Sequence, residues 1–182
     1  YSLGRFFETA SKQPWYTNTI FVLTADHSSS KTTHQEYKTD AGDNHVPIVI
    51  FDPSGEMPRG MHSGMMQQLD ILPTVLGWLG YDRDYIAFGN DVLTTRPEER
   101  WSFNYNLVPQ MYIGDYFLQT DADCNITGLY DYVNDIMMTT DLKDKLPAKA
   151  SEMQLKMKGL MQSYYERMDA DSVKVRQAGL PE

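Results

Sequence analysis

Four histidines, His27, His34, His45 and His62, lie between positions 27 and 62, and none occurs elsewhere in the 182 residues. His27 follows Asp26, and the pair stands directly after a short apolar run, Ile20-Phe21-Val22-Leu23. A carboxylate oxygen beside an imidazole nitrogen is a donor set suited to Zn²⁺ or Mn²⁺. In open α/β sheets, ligands bind beyond the carboxyl ends of strands, which is where this dipeptide falls. The plainer alternative is that Asp26 caps the following turn and His27 is a hydrogen-bonded loop residue. His34 lies in a polar stretch from Ser28 to Asn44, with Lys31 and Lys38 beside it, and His45 directly precedes a second apolar run. If the two runs are neighbouring strands of a parallel sheet, His45 sits at the opposite strand end from His27 unless the loop curls back. His62 precedes a helix and has the weakest claim.

Other chemistries find little support. Ser28-Ser29-Ser30 beside His27 invites a serine hydrolase, but no G-x-S-x-G elbow exists. There is no Walker A loop and no G-x-G-x-x-G. Asp40, Asp43 and Asp52 read as solvated loop acids. Cys124 is the only cysteine, which excludes an intrachain disulfide and a cysteine-based metal site. Sixteen Lys and Arg against twenty-five Asp and Glu give a net charge of −9. Such an acidic chain lacks the dense basic face that binding a nucleic acid requires. No apolar run approaches the ~20 residues of a membrane-spanning helix.

The elements that must position these residues fall into two halves. In the first, Leu3, Phe6, Phe7 and Ala10 form one face of an opening helix. Thr17–Thr24 and Val46–Phe51 are near-continuous apolar runs, which suits strands covered on both faces in a parallel sheet. Leu69, Leu72, Val75, Leu76 and Leu79 give a helical apolar face that ends at Gly80. This order of elements indicates an α/β fold. In the second half, Trp101–Leu107 alternates aromatic and polar residues, the mark of a half-buried antiparallel strand. Gly114-Asp115 between two apolar triplets predicts a hairpin, and Ile126–Tyr130 a further strand. Met153, Met157, Leu160, Met161, Tyr164 and Met168 fall at helical spacing and predict a long packed helix. The chain opens inside a helix without an initiating Met, as a piece of a longer protein would.

These motifs together resemble the sulfatase branch of the alkaline phosphatase superfamily. The resemblance rests on Asn18-Thr19 and the strand leading to Thr24-Ala25-Asp26-His27, and on Val46-Pro47 through Asp52-Pro53. Gln68-Leu69-Asp70-Ile71-Leu72-Pro73-Thr74-Val75-Leu76 and the Leu129-Tyr130-Asp131-Tyr132 tail to Asp141-Leu142 continue it, in family order. Within the branch the chain is most similar to membrane-anchored, lipoteichoic acid synthase-like proteins. The resemblance implies that residues 1–95 end an alkaline phosphatase-like catalytic domain. Residues 96–182 would then form a small antiparallel subdomain with a long C-terminal helix. It implies a divalent metal (Mn, Zn, Ca or Mg) held in part by Asp26 and His27. His34 or His45 is implied to hold an anionic sulfate- or phosphate-ester substrate. The nucleophile and remaining ligands are expected upstream of this chain, so the chain alone is expected to be inactive and to self-associate; the alternative is a non-catalytic binding or scaffold module that retains the fold. The parent is expected in the cell envelope, anchored through a segment this chain lacks.

Overall fold

A computed structural model describes residues 1–29, 31–62 and 64–170. Helix α1 (Ser2–Ala10) precedes strand β1 (Phe21–Thr24), and a one-turn helix α2 (Asp40–Asp43) precedes strand β2 (Ile48–Phe51). The two strands pair antiparallel, with Phe21 opposite Phe51 and Thr24 opposite Ile48. This corrects the parallel arrangement expected from their composition. A parallel crossover needs a connection that packs back on the sheet, usually a helix with an apolar stripe. The polar stretch between these strands offers no such stripe, and forms a 3-10 turn (Gln35–Lys38) and α2 instead. Phe7 of α1 packs edge-on against Phe21 and Phe51, with centroids 5.1 and 5.5 Å away. Ala10 is buried, but Leu3 and Phe6 of the same stripe stay about half exposed.

The second half matches its sequence pattern closely. Strands β3 (Trp101–Asn106), β4 (Val108–Ile113), β5 (Tyr116–Thr120) and β6 (Ile126–Asp131) form an antiparallel meander in chain order. Gly114 turns the β4–β5 hairpin at φ 55°, a conformation open to glycine without a Cβ penalty. Side-chain alternation gives the sheet two different covers. Met111, Leu118 and Leu129 face helix α4 (Pro147–Asp169) and pack on its Ala150, Met153 and Met157. Tyr112 and Phe117 point the other way and pack with Ala41 of α2. Tyr164 and Met168, expected in the core by their spacing, are about half exposed because that core ends near Met161.

Helix α3 (Ile71–Trp78) departs furthest from its apolar pattern. Leu69, Leu72 and Leu79 are 47–63% exposed, whereas Asp70, Pro73 and Thr74 are buried. The buried side is polar because it carries a hydrogen-bond network. Asp70 accepts from the backbone N–H of Gln67 at 2.9 Å and of Asn90 at 2.7 Å. The Thr74 hydroxyl accepts from Val92 N–H at 3.1 Å. Gly89 lets the chain pass close: a Cβ there would lie 2.2 Å from the Leu69 carbonyl oxygen. Gln67 bridges to β3, donating to the Trp101 carbonyl at 3.0 Å and accepting from Phe103 N–H at 3.3 Å. Burial pushes the Asp70 carboxyl above its ordinary pKa, while its two N–H donors oppose that shift. Replacing Asp70 by Asn relieves the buried charge but sets an amide NH₂ against one of the two N–H groups. Leaving a buried donor unsatisfied costs ~1–3 kcal/mol. Asp70→Asn is therefore expected to lower unfolding stability by about 2 kcal/mol in urea titration, the middle of that range.

Candidate functional site

Asp26 and His27 follow β1 after one intervening residue, Ala25, on a bend at the strand's carboxyl end. The carbonyl of Ala25, next to Asp26, accepts a hydrogen bond from the Gln68 side chain at 2.5 Å, which ties the bend to the start of α3. Asp26 Oδ1 accepts from the backbone N–H of its neighbour at 3.0 Å. The His27 ring places Nδ1 2.7 Å from the Ser28 carbonyl oxygen. A carbonyl only accepts, so Nδ1 carries the proton, and Nε2 lies 3.5 Å from Asp26 Oδ2. Both side chains are more than three-quarters exposed. The Ser28 carbonyl, then the Asp26 charge, raise the His27 pKa, and Asp43 adds to this.

This arrangement fits half of a metal site. A ligating histidine normally donates its distal N–H to a carbonyl or carboxylate, which fixes the ring and leaves the other nitrogen for the metal. His27 does this through Ser28, and its Nε2 faces the Asp26 carboxylate. Among the described residues no group of three or more His, Cys, Asp or Glu converges on a common point. The pair therefore offers two donors where a catalytic zinc site takes three from protein.

The antiparallel pairing also relocates His45. Because Thr24 faces Ile48, the residues just before β2 lie at the same end of the ribbon as those just after β1. His45 is thus brought to the end of the sheet that carries Asp26 and His27, not the opposite one. His34 reaches the same cluster through a ring contact. Its imidazole meets Tyr37 edge-on at 6.3 Å, and Tyr37 meets His45 at 6.2 Å. His34 Nδ1 lies 3.3 Å from a Glu36 carboxylate oxygen, so an acid already sits beside it. His62 lines a cleft of about 360 Å³ with Trp78, Asp91 and Arg100, and none of the other histidines lines it.

The loop that carries His34 and His45 is anchored by α2. Thr39 caps α2, its hydroxyl accepting from Gly42 N–H at 3.0 Å. Asn44 Nδ2 lies 3.2 Å from both Gln110 Oε1 and the Tyr112 hydroxyl. The Tyr112 hydroxyl donates to the Ala41 carbonyl at 3.3 Å, and the Gln119 amide reaches Asp40. Asp43 accepts from the Ser28 hydroxyl at 2.9 Å and so joins the two sides of the loop. Asp43 does not show in the sequence as more than a loop acid, because its partner lies fifteen residues away in a segment without regular structure.

Gly42 sets how closely this loop folds: a Cβ there would lie 1.8 Å from the Glu36 carbonyl oxygen. Gly42→Ala must push α2 off the 3-10 turn. It is expected to cost ~1–3 kcal/mol, the range for overpacking, in urea unfolding.

The sheets and helices are those of the alkaline phosphatase-like fold. Ps i-CgsB, solved in complex with k-i-k-neocarrahexaose, superposes with a TM-score of 0.64 at 17% identity, covering 86% of this chain and 39% of that one. The Bacteroides fragilis protein yidJ, assigned as a sulfatase, gives 0.61 at 18%, covering 95% of this chain and 42% of its own. In sequence, the multifunctional alkaline phosphatase superfamily protein PehA of Trinickia caryophylli is 26% identical over 95 residues, 50% of this chain and 18% of PehA. Residues 1–81 match the Sulfatase family model. Residues 1–81 are thus similar to sulfatases, about half of the chain is similar in sequence to an alkaline phosphatase superfamily protein, and the chain spans less than half the length of each of these proteins. No helix among the described residues is long and apolar enough to cross a membrane.

Proposed function

We propose that this chain supplies part of the active centre of a metal-dependent, sulfatase-type enzyme that acts on sulfate or phosphate esters. The observation that carries this reading is the Asp26–His27 pair. It stands at a strand end inside the stretch matched by the family model, with His27 Nδ1 engaged by a backbone carbonyl and Nε2 turned to the carboxylate. Asp26 and His27 would be two ligands of a divalent ion. Bound there, the ion supplies Lewis acidity to the ester and lowers the pKa of the attacking nucleophile. The nucleophile and remaining ligands belong to another part of the complete enzyme. His45, at the same sheet end, and His34, joined to it by Tyr37, would bind ester oxygens by N–H donation.

The family match favours a sulfate ester. The relative whose name describes it as multifunctional supports a phosphodiester as the second reading, including phosphoglycerol transfer by a membrane-anchored parent in the cell envelope. Parallel assays of an aryl sulfate and a bis-aryl phosphodiester with the complete protein separate the two.

The metal assignment is tested by Mn²⁺ and Zn²⁺ titration of Asp26→Ala and His27→Ala in the complete protein. Both are expected to abolish measurable binding while changing stability by no more than ~0.5 kcal/mol, as for exposed side chains outside the core. Near-parental affinity with an early melt would make Asp26 a turn cap and nothing more. In the same protein, His45→Gln or His34→Gln is expected to lower turnover ~10²-fold or more with metal content unchanged.

A further inference from the structure

We propose that Asp43 is a positioning residue for His27: accepting the Ser28 hydroxyl, it holds the Ser28 carbonyl that fixes the imidazole, and the second sheet holds Asp43 in turn. The proposal rests on the metal-site reading above and adds a residue that it does not contain. A short chain of contacts carries it. His27 Nδ1 lies 2.7 Å from the Ser28 carbonyl oxygen. The hydroxyl of the same Ser28 donates to Asp43 Oδ1 at 2.9 Å. One residue thus presents its carbonyl to the ring and its side chain to Asp43. Releasing the side chain frees the backbone of an exposed bend that has no sheet partner of its own.

Asp43 can act as an anchor because it is fixed independently of the bend. Its backbone N–H donates to the Thr39 carbonyl at 2.8 Å, closing the α2 turn. Ala41 of that turn is buried against Tyr112 and Phe117. Asn44, the next residue, contacts Gln110 and Tyr112 on β4. The Tyr112 hydroxyl is buried, and burial raises its pKa well above the ordinary tyrosine value, so it stays a neutral donor to the Ala41 carbonyl. The order of support runs from the four-stranded sheet to α2, to Asp43, to Ser28 and to the ring of His27. Outer partners that orient a metal-binding histidine typically contribute 10–100-fold in metal affinity.

Three variants of the complete protein test this: Asp43→Ala, Asp43→Asn and Ser28→Ala. Asp43→Asn keeps an oxygen that accepts the Ser28 hydroxyl, whereas the other two variants remove the bond. Two readouts are needed, and urea midpoints verify that each variant folds. The first is the ¹⁵N spectrum of the His27 ring in metal-free protein at alkaline pH, where the ring is neutral. The parent and Asp43→Asn are expected to hold the Nδ1–H form. Asp43→Ala and Ser28→Ala are expected to shift toward the Nε2–H form that free histidine prefers. The second readout is Mn²⁺ titration, in which the two bond-breaking variants are expected to weaken binding ~10-fold and Asp43→Asn to stay close to the parent. The double variant Ser28→Ala/Asp43→Ala is expected to lose no more than either single change.

An unchanged ring spectrum in Asp43→Ala overturns the proposal. So does equal weakening by Asp43→Asn and Asp43→Ala, which would make the charge of Asp43 the operative property. If the parent binds no Mn²⁺ at all, the metal-site reading fails, and the ring spectrum alone still decides whether Asp43 positions His27.

Discussion

A buried polar segment built around the Asp70 carboxylate ties the two halves of this chain together. Asp70 is 1% exposed and accepts two backbone N–H groups, one from the turn before it and one from Asn90. Around it, Gln67 reaches β3, Thr74 receives Val92 N–H, and Gln68 reaches the carbonyl of Ala25 beside the Asp26–His27 pair. A single segment, residues 67–74, thus contacts the candidate site, the long connection and the second sheet. Buried backbone groups far from regular secondary structure need partners, and here side chains supply them. The outward turn of Leu69, Leu72 and Leu79 follows from the same fact, since α3 spends its inner face on polar contacts.

The second sheet has a corresponding double role. One face is an ordinary core, with Met111, Leu118 and Leu129 against Met153 and Met157 of α4. The opposite face is a platform for the loop between β1 and β2, held through Ala41, Asn44 and Asp40. The four-stranded meander belongs with the candidate site because this loop carries His34, His45 and Asp43. The likeness to solved structures extends over 86–95% of the chain, well beyond the residues 1–81 that match the family model.

Much of this was legible in the sequence, and the gaps have physical causes. The meander and α4 were readable because alternation and helical spacing report directly on which side chains face a neighbour. The Asp26–His27 pair stood out because two metal donors adjoin an apolar strand. Strand direction was not readable: a run apolar at every position is compatible with either direction, and only the register from Phe21–Phe51 to Thr24–Ile48 resolves it. With the strands antiparallel, His45 falls at the end that carries Asp26 and His27 without the loop having to curl back. The polar face of α3 was hidden because its partners are backbone groups of Asn90 and Val92, which leave no pattern in side-chain spacing. Asp43 was hidden for a similar reason, its partner being a hydroxyl across an irregular loop.

The central claim is that the polar segment 67–74 locks the site-bearing half to the second sheet as one unit. Native-state hydrogen exchange of the backbone amides of Gln67, Asn90, Val92 and Phe103 tests it most directly. The first two donate to Asp70, the third to Thr74 and the fourth to Gln67. The account predicts that all four exchange as slowly as the β4 and β5 amides and open only with that sheet. Fast, independent exchange of Asn90 and Val92 while β4 and β5 stay protected would contradict it, showing two halves that open separately.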